Sequence, residues 1–530
     1  MKKILSILSL SLVLLVSCQP KDDTVYILYD NDVHCAVDGY EQMAALRADY
    51  LSKSLYVNVV SSGDFVQGNT IGSLSKGRYI ISIMNSIPYD IVTLGNHEFD
   101  YGVPQMKKLM FLLHAKCVCC NFSYLPTGKD LYPAYTIRQY GSRKVAFVGV
   151  ATPTTMAMSV PTNFQDKNGE VIYTFHKDET IQRVQQAVNA AREEGANNVI
   201  VLSHLGDDTQ GVNSVELIEQ TTGIDAVLDG HQHHVLNLKL ANAEGDSVIL
   251  TSTGSAFQNI GCLTIALDGT LSTELIPLDN YKEEHPRVRE RIDKMRQKVQ
   301  NITDKYIGFA EVVLTDANEA GERQVRMAET NLGDFAADAM RAICKADIGI
   351  VNGGGLRHSL KAGNLTYGDI IQVFPFNNTL YTVKATGAQI KRAMEISVFE
   401  YPVESGGFMQ VSGLRYTFNS SVPTSVHLDE DGICDSIGES RRLISVEIEK
   451  DGEWMPIDDN AVYTIGGQSY NLVCSGSSGM YIGTEQLPGE HMVDADALVE
   501  YIHMLGDTIR ASQYGTSQNR IIRVTDNQIE

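Results

Sequence analysis

The stretch Asp90-Ile91-Val92-Thr93-Leu94-Gly95-Asn96-His97-Glu98-Phe99-Asp100 sets an apolar, β-branched run directly against a glycine and a cluster of amide, imidazole and carboxylate side chains. The run predicts a buried strand over 90–94, and the glycine allows a tight turn that brings the polar cluster to its end. The same arrangement recurs outward in both directions. Apolar runs at 25–31, 56–61, 198–203 and 226–229 lead into Asp32-Val33-His34, Ser62-Gly63-Asp64, His204 and Gly230-His231-Gln232-His233. With a further strand over 145–150 and a helix over 180–194, the alternation across 24–281 predicts a layered α/β domain. Polar residues at successive strand ends converge on one rim of such a sheet, where open α/β folds place their chemistry.

Residues 282–305 are heavily charged, with Val288, Ile292, Met295 and Val299 at helical spacing, and predict a linking helix with one packed face. Residues 306–527 mix strand and helix patterns without repeating the first and read as a separate α+β domain. A chain of 530 residues suits two cores, since single cores stop growing near roughly 250 to 300 residues. The formal net charge of −22, from 43 basic and 65 acidic residues, opposes binding to long nucleic acids. A small phosphorylated substrate is compatible with it, because a metal centre and one or two arginines set the field locally.

Asp32-Val33-His34 places two donors on the same side if the segment is extended, because residues two apart in a strand point the same way. Asp64 and Asn96 add a carboxylate and an amide at glycine turns, and His204, His231 and His233 add three imidazoles. Oxygen and nitrogen donors with no thiolate suit manganese, zinc, magnesium or iron. An aspartate shared between two ions would hold them roughly 3.5 to 4 Å apart, the spacing of a binuclear hydrolase.

Met1-Lys2-Lys3 and the apolar run 4–16 read as a secretory signal, too short to span a bilayer. Leu15-Val16-Ser17-Cys18 resembles a bacterial lipobox, which implies a lipid on Cys18 and a membrane-anchored chain in the cell envelope, periplasmic or on the outer surface. The other eight cysteines, three of them in an apolar stretch at 116–122 that reads as a buried strand, are expected as buried free thiols. Oligomeric state is not legible.

Asn31-Asp32-Val33-His34, Gly63-Asp64, Gly95-Asn96-His97-Glu98-Phe99-Asp100, Ser203-His204 and Gly230-His231-Gln232-His233 resemble the motifs of calcineurin-type metallophosphoesterases. With Asn352-Gly353-Gly354-Gly355-Leu356-Arg357, the chain resembles the bacterial 5'-nucleotidase and UDP-sugar hydrolase family over nearly all of its mature length. The resemblance implies a four-layer αββα sandwich joined by a helix to an α+β substrate-binding domain. It implies two divalent metal ions, manganese, zinc, magnesium or cobalt, one on Asp32, His34 and His233 and the other on Asn96, His204 and His231, with Asp64 bridging. His97 would lie against the reacting phosphate, its ring oriented by Asp100, and hydrolysis would proceed by in-line attack of a metal-bound hydroxide. Arg357 would contact a phosphate, and Gly354, Asn378 and Phe408 would line a cleft in which two rings sandwich a nucleobase.

The chain departs from that pattern at Leu472, where a stacking ring is expected, and at Ser478, where a carboxylate would hold a ribose. Tyr470 is the candidate to supply the ring, a contact worth about 1 to 3 kcal/mol per base. The expected function is therefore a 5'-nucleotidase of extracytoplasmic nucleotides. The alternatives are a 2',3'-cyclic phosphodiesterase, a UDP-sugar diphosphatase, or a non-catalytic surface nucleotide-binding protein.

Overall fold

The computed structural model describes residues 22–528 apart from 159–162, 167–169, 209–210, 319, 430–431, 475 and 488–491. The expected lipobox and Cys18 lie outside the described residues. The first half holds two six-stranded sheets. In one, Asp22–Asp30, Ser54–Ser61, Ile91–Val92 and Lys116–Cys117 run parallel, and Asn259–Ile265 and Leu271–Pro277 close the other edge antiparallel. In the other, Arg143–Ala151, Asn198–His204, Ala226–Leu228 and Ser247–Thr253 run parallel between two antiparallel edge strands, Tyr135–Tyr140 and Val235–Ala241.

The sheets face each other across Ile27, Tyr29, Val60, Phe147, Ile200, Leu202 and Leu228. Asp38–Lys53, Arg78–Met84 and Val103–Leu112 pack on the outer face of the first sheet, Thr180–Glu193 and Ser214–Gln220 on that of the second. This is a four-layer αββα sandwich. Strands covered on both faces are continuously apolar along their middle, which is why residues 199–202 of Asn198–His204, a strand buried throughout, read as an unbroken run.

Two expected elements come out differently. The strand at 90–94 is only Ile91–Val92, because the chain turns at once into the Glu98-braced loop described below. The stretch 116–122 is a strand only at Lys116–Cys117. Beyond it, Cys119 N–H bonds to Pro133 O at 2.9 Å and Cys120 N–H to Gly149 O at 2.8 Å, so the segment crosses from the first sheet to the second. The eight described cysteines are free thiols, all buried except the half-buried Cys344.

The charged stretch forms the helix Pro286–Thr303, with Val288, Ile292 and Met295 buried in the core beneath the first sheet. Its N-terminal half is tied down by Arg289 Nη2, 2.7 Å from Glu41 Oε1. The second half of the chain is α+β. A five-stranded sheet with Met409–Ser412, Ile348–Asn352, Val462–Gln468 and Leu380–Thr386 packs against Asn331–Cys344 and Gly387–Ser397. A four-stranded sheet centred on Leu443–Lys450 and Leu414–Asn419 shares its core. The halves meet where Leu74 packs into the core around Phe335 and Ile370, and Ser73 Oγ donates to Pro375 O at 2.7 Å. Among the described residues no helix is long and apolar enough to cross a membrane.

Candidate metal centre

The seven expected donors gather on one rim, at the carboxyl ends of parallel strands from both sheets. Asp32, His34 and His233 offer ligand atoms within 4.8 Å of one another, and so do Asp32, Asp64 and His204. His231 Nδ1 lies 2.9 Å from Asn96 Oδ1, and the His231 ring packs beside His204. One expectation about local structure fails: the strand ends at Asp30, and Asp32 and His34 have φ of 50° and 46° rather than extended values. Their side chains share a direction because the backbone turns at each, with buried Val33 between them pointing into the core.

Asp64, His231 and His233 have positive φ as well, at 58°, 83° and 60°. Five of the seven donors thus hold a backbone conformation that costs side-chain-bearing residues of order 1 to 3 kcal/mol each and persists only where the surroundings over-determine it. The bracing is visible. Glu98, fully buried, accepts from Asp64 N–H at 2.8 Å, Phe65 N–H at 2.9 Å and Gly95 N–H at 2.7 Å. Gly95 is required there, since a Cβ would fall 2.2 Å from Asp64 Oδ1. Asn31 donates to Asp32 Oδ2 at 2.7 Å and accepts from Thr253 N–H at 2.8 Å. Glu98 and Asn31 were not singled out from sequence. Their signal was available, as polar residues inside the motifs at positions too buried for solvation.

The donor geometry fits divalent cations. His34 Nε2 and His233 Nε2 point at each other across 2.9 Å. His204 Nε2 is fully buried, 3.1 Å from Asp64 Oδ2 and 3.7 Å from Asp32 Oδ1, without the alignment of a hydrogen bond. Burial lowers the pKa of His34 to about 4 and of His231 to about 3, which keeps their lone pairs available. Burial also opposes charge on His204, yet Asp64 and Asp32 push it up to about 10, so the pocket demands positive charge. Asp207, Asp208 and His234 form a smaller, more exposed grouping nearby.

His97 stands beside the donors. Its ring packs edge-on to His34 at 5.2 Å, its N–H donates to Asp64 Oδ1 at 2.8 Å, and its Nδ1 is 2.7 Å from Asp100 Oδ2. Burial opposes its charge, but Asp100 and Asp64 outweigh it and raise the pKa to about 10. On the second domain, burial and then the charge of Asp100 raise the pKa of Cys474 to about 12.

On the second domain, Arg357 is exposed, with Nη1 3.3 Å from Gly354 O and its guanidinium over the Phe376 ring. Arg326 was missed from sequence. Its pKa is lowered by burial and then by Arg323 and Arg357, which places three guanidinium groups in one neighbourhood. Asn378 is half-buried and donates to Asp494 Oδ2 at 3.3 Å. Gly354 N–H bonds to Gly406 O at 2.9 Å.

The expected ring platform is corrected. Phe408 is 1% exposed and belongs to the core with Ile350, Met480 and Tyr481, because the strand it precedes packs both faces inside the domain. Leu472 is buried in the same core. The Tyr470 ring folds back under its own loop, so that a Cβ on Gly476 would come within 2.7 Å of it.

A two-sheet sandwich with aspartate, asparagine and histidine donors on one rim and a His-Asp pair beside them defines a metal-dependent phosphoesterase domain. Residues 27–235 match the calcineurin-like phosphoesterases and residues 306–482 the 5'-nucleotidase C-terminal domain. The chain belongs to the calcineurin-like phosphoesterases that carry a 5'-nucleotidase C-terminal domain. It is 27% identical over 541 residues to the trifunctional nucleotide phosphoesterase protein YfkN of Bacillus subtilis, covering 92% of this chain and 34% of that protein. It is 25% identical over 475 residues to the 5'-nucleotidase of Bos taurus, covering 79% of each. The chain spans 34% of the length of YfkN and 40% of the Bacillus subtilis endonuclease YhcR. The 5'-nucleotidase precursor of Thermus thermophilus superimposes with a TM-score of 0.69 at 23% identity, over 95% of this chain and all of that one. The NAD nucleotidase of Haemophilus influenzae gives 0.56 at 21%, over 95% and 99%. These two likenesses carry the fold.

Proposed function

We propose that this chain hydrolyses phosphate esters as a 5'-nucleotidase of extracytoplasmic nucleotides, with two divalent ions, manganese, zinc, magnesium or cobalt, on Asp32, His34, Asp64, Asn96, His204, His231 and His233. The observation that carries the proposal is the convergence of these donors, five in strained backbone, beside the His97–Asp100 pair. Divalent ions bound there would lower the pKa of water and neutralise charge on the phosphate.

The chain's own groups supply the rest. The Asp100 carboxylate fixes His97 through Nδ1, leaving Nε2 to face the reacting phosphate, where it stabilises charge and passes a proton to the departing oxygen. Arg357 and Arg326 offer planar guanidinium donors to phosphate oxygens of the substrate. A lipid on Cys18 would hold the enzyme at the membrane of the cell envelope.

A second reading, hydrolysis of 2',3'-cyclic nucleotides or sugar-nucleotide diphosphates, rests on the same metal centre, which does not by itself distinguish these bonds. With Phe408 and Leu472 buried, neither position offers a face to stack on a base, which weakens base recognition in every one of these substrates alike. The test is chromatographic analysis of the products that manganese- or zinc-loaded protein forms from AMP, UDP-glucose, a 2',3'-cyclic nucleotide and non-nucleotide esters, scoring phosphomonoester products as well as free phosphate. Fastest turnover of AMP supports the nucleotidase, and fastest turnover of the cyclic or diphosphate substrate supports the second reading. Metal-loaded protein that hydrolyses none of them contradicts both.

A further inference from the structure

The rim opposite the metal centre combines charge and apolar exposure in a way the catalytic reading does not use. The helix Val103–Leu112 leaves the metal rim at Gly102 and joins two parallel strands, Ile91–Val92 and Lys116–Cys117, so its last turn lies at the far rim. Val103, Met106, Leu109 and Met110 face inward. Lys107, Lys108, Phe111 and Leu112 face outward, close enough in helical spacing to form one patch. Phe111 is 88% exposed, the most exposed large apolar side chain among the described residues.

No acidic residue occurs between Asp100 and Asp130, a stretch that holds Lys107, Lys108, Lys116 and Lys129 in a chain of net charge −22. Asn85 ties the patch to its neighbour, donating to Leu112 O at 2.9 Å and accepting from His114 N–H at 2.8 Å. That neighbour is an open cleft of about 490 Å³ walled by His114, Arg287, Arg291 and Lys294, with Glu290 as its one acid. Lysines flanking an exposed aromatic on one helix face form the composition that settles at a bilayer interface.

The chain also enters at this rim. Asp22 pairs with Ser54 at the amino ends of the parallel strands, three strand spacings, or about 14 Å, from the strand that follows Phe111. Cys18 precedes Asp22 by four residues, a reach of at most about 14 Å. A lipid there would keep this rim within reach of the bilayer.

We infer that Lys107, Lys108, Phe111 and Leu112, with the cationic cleft beside them, form a docking surface for an anionic bilayer that turns the metal rim away from the membrane. The ring enters the headgroup layer and the lysines meet lipid phosphates, each contributing about five-fold in binding.

Residues 22–530 contain every strand and helix described here, so protein beginning at Asp22 keeps both domains and lacks the anchor. Its sedimentation with phosphatidylglycerol–phosphatidylcholine vesicles, and with phosphatidylcholine alone, is measured at low salt. It is expected to bind the first and not the second. Lys107→Glu with Lys108→Glu should weaken binding at least about 20-fold, and Phe111→Ser should weaken it several-fold. Lys239→Glu on the second sheet should bind like the parent, and all variants should release phosphate from a soluble ester at the parent rate. No binding to anionic vesicles by the parent, or equal binding by the patch variants, overturns the inference. Because this protein lacks Cys18, neither result bears on lipidation or on hydrolysis.

Discussion

The metal rim and the facing surface of the second domain are made of different kinds of position. At the rim, His204 ends its strand and the other donors lie within a few residues after theirs, where the turns aim the side chains and one buried carboxylate, Glu98, locks the turns at Asp64 and Gly95. On the second domain, side-chain direction is decided by how the 470–480 loop packs over a core, and that packing takes Phe408 and Leu472 inside. The rim is fixed by local backbone geometry, and the surface of the second domain by long-range packing. Residue type therefore predicts position at the first and fails to at the second.

The largest effect should come from breaking the rim at its centre. Asp64→Ala should cut turnover by more than the roughly 10²- to 10³-fold typical of losing one stabilising polar group, and elemental analysis should show loss of bound metal. His97→Ala should lower kcat by about 10²- to 10³-fold with metal content unchanged, which separates chemistry from ligation. Glu98→Gln, which turns an amide donor toward backbone N–H groups, should weaken metal affinity by about 10- to 100-fold in a chelator titration. Arg326→Ala should reduce kcat/KM by about 10-fold or more, as charge-assisted hydrogen bonds of roughly 1.5 to 3 kcal/mol imply. Phe408→Leu should do least: a KM for nucleotide within about two-fold of the parent and a stability loss under about 1.5 kcal/mol. A large rise in KM with unchanged stability would show that Phe408 meets substrate after all and would erase the contrast between the two regions.

The strands and donors were legible because buried parallel strands must be continuously apolar, so a glycine, aspartate or histidine that interrupts the pattern marks the rim. Arg326 was not legible, because no pattern surrounds it. It reaches the neighbourhood of Arg357 through the close packing of Gly353, whose Cβ position lies 2.2 Å from Val325 O. The 116–122 stretch misled for a related reason: complete burial of Val118, Cys119 and Phe122 looks like a strand, although the segment is a crossing between sheets. Burial can be read from composition, whereas the hydrogen-bond partners that separate a strand from a crossing cannot.

The most direct measurement pairs metal content with turnover on the same preparations of parent and His97→Ala protein. Two divalent ions per chain in both, with phosphate release in the parent and about 10²- to 10³-fold less in the variant, is the predicted result. A parent that binds no divalent ion, or a variant that turns over as fast as the parent, would contradict the assignment of this rim as a binuclear phosphoesterase centre served by His97.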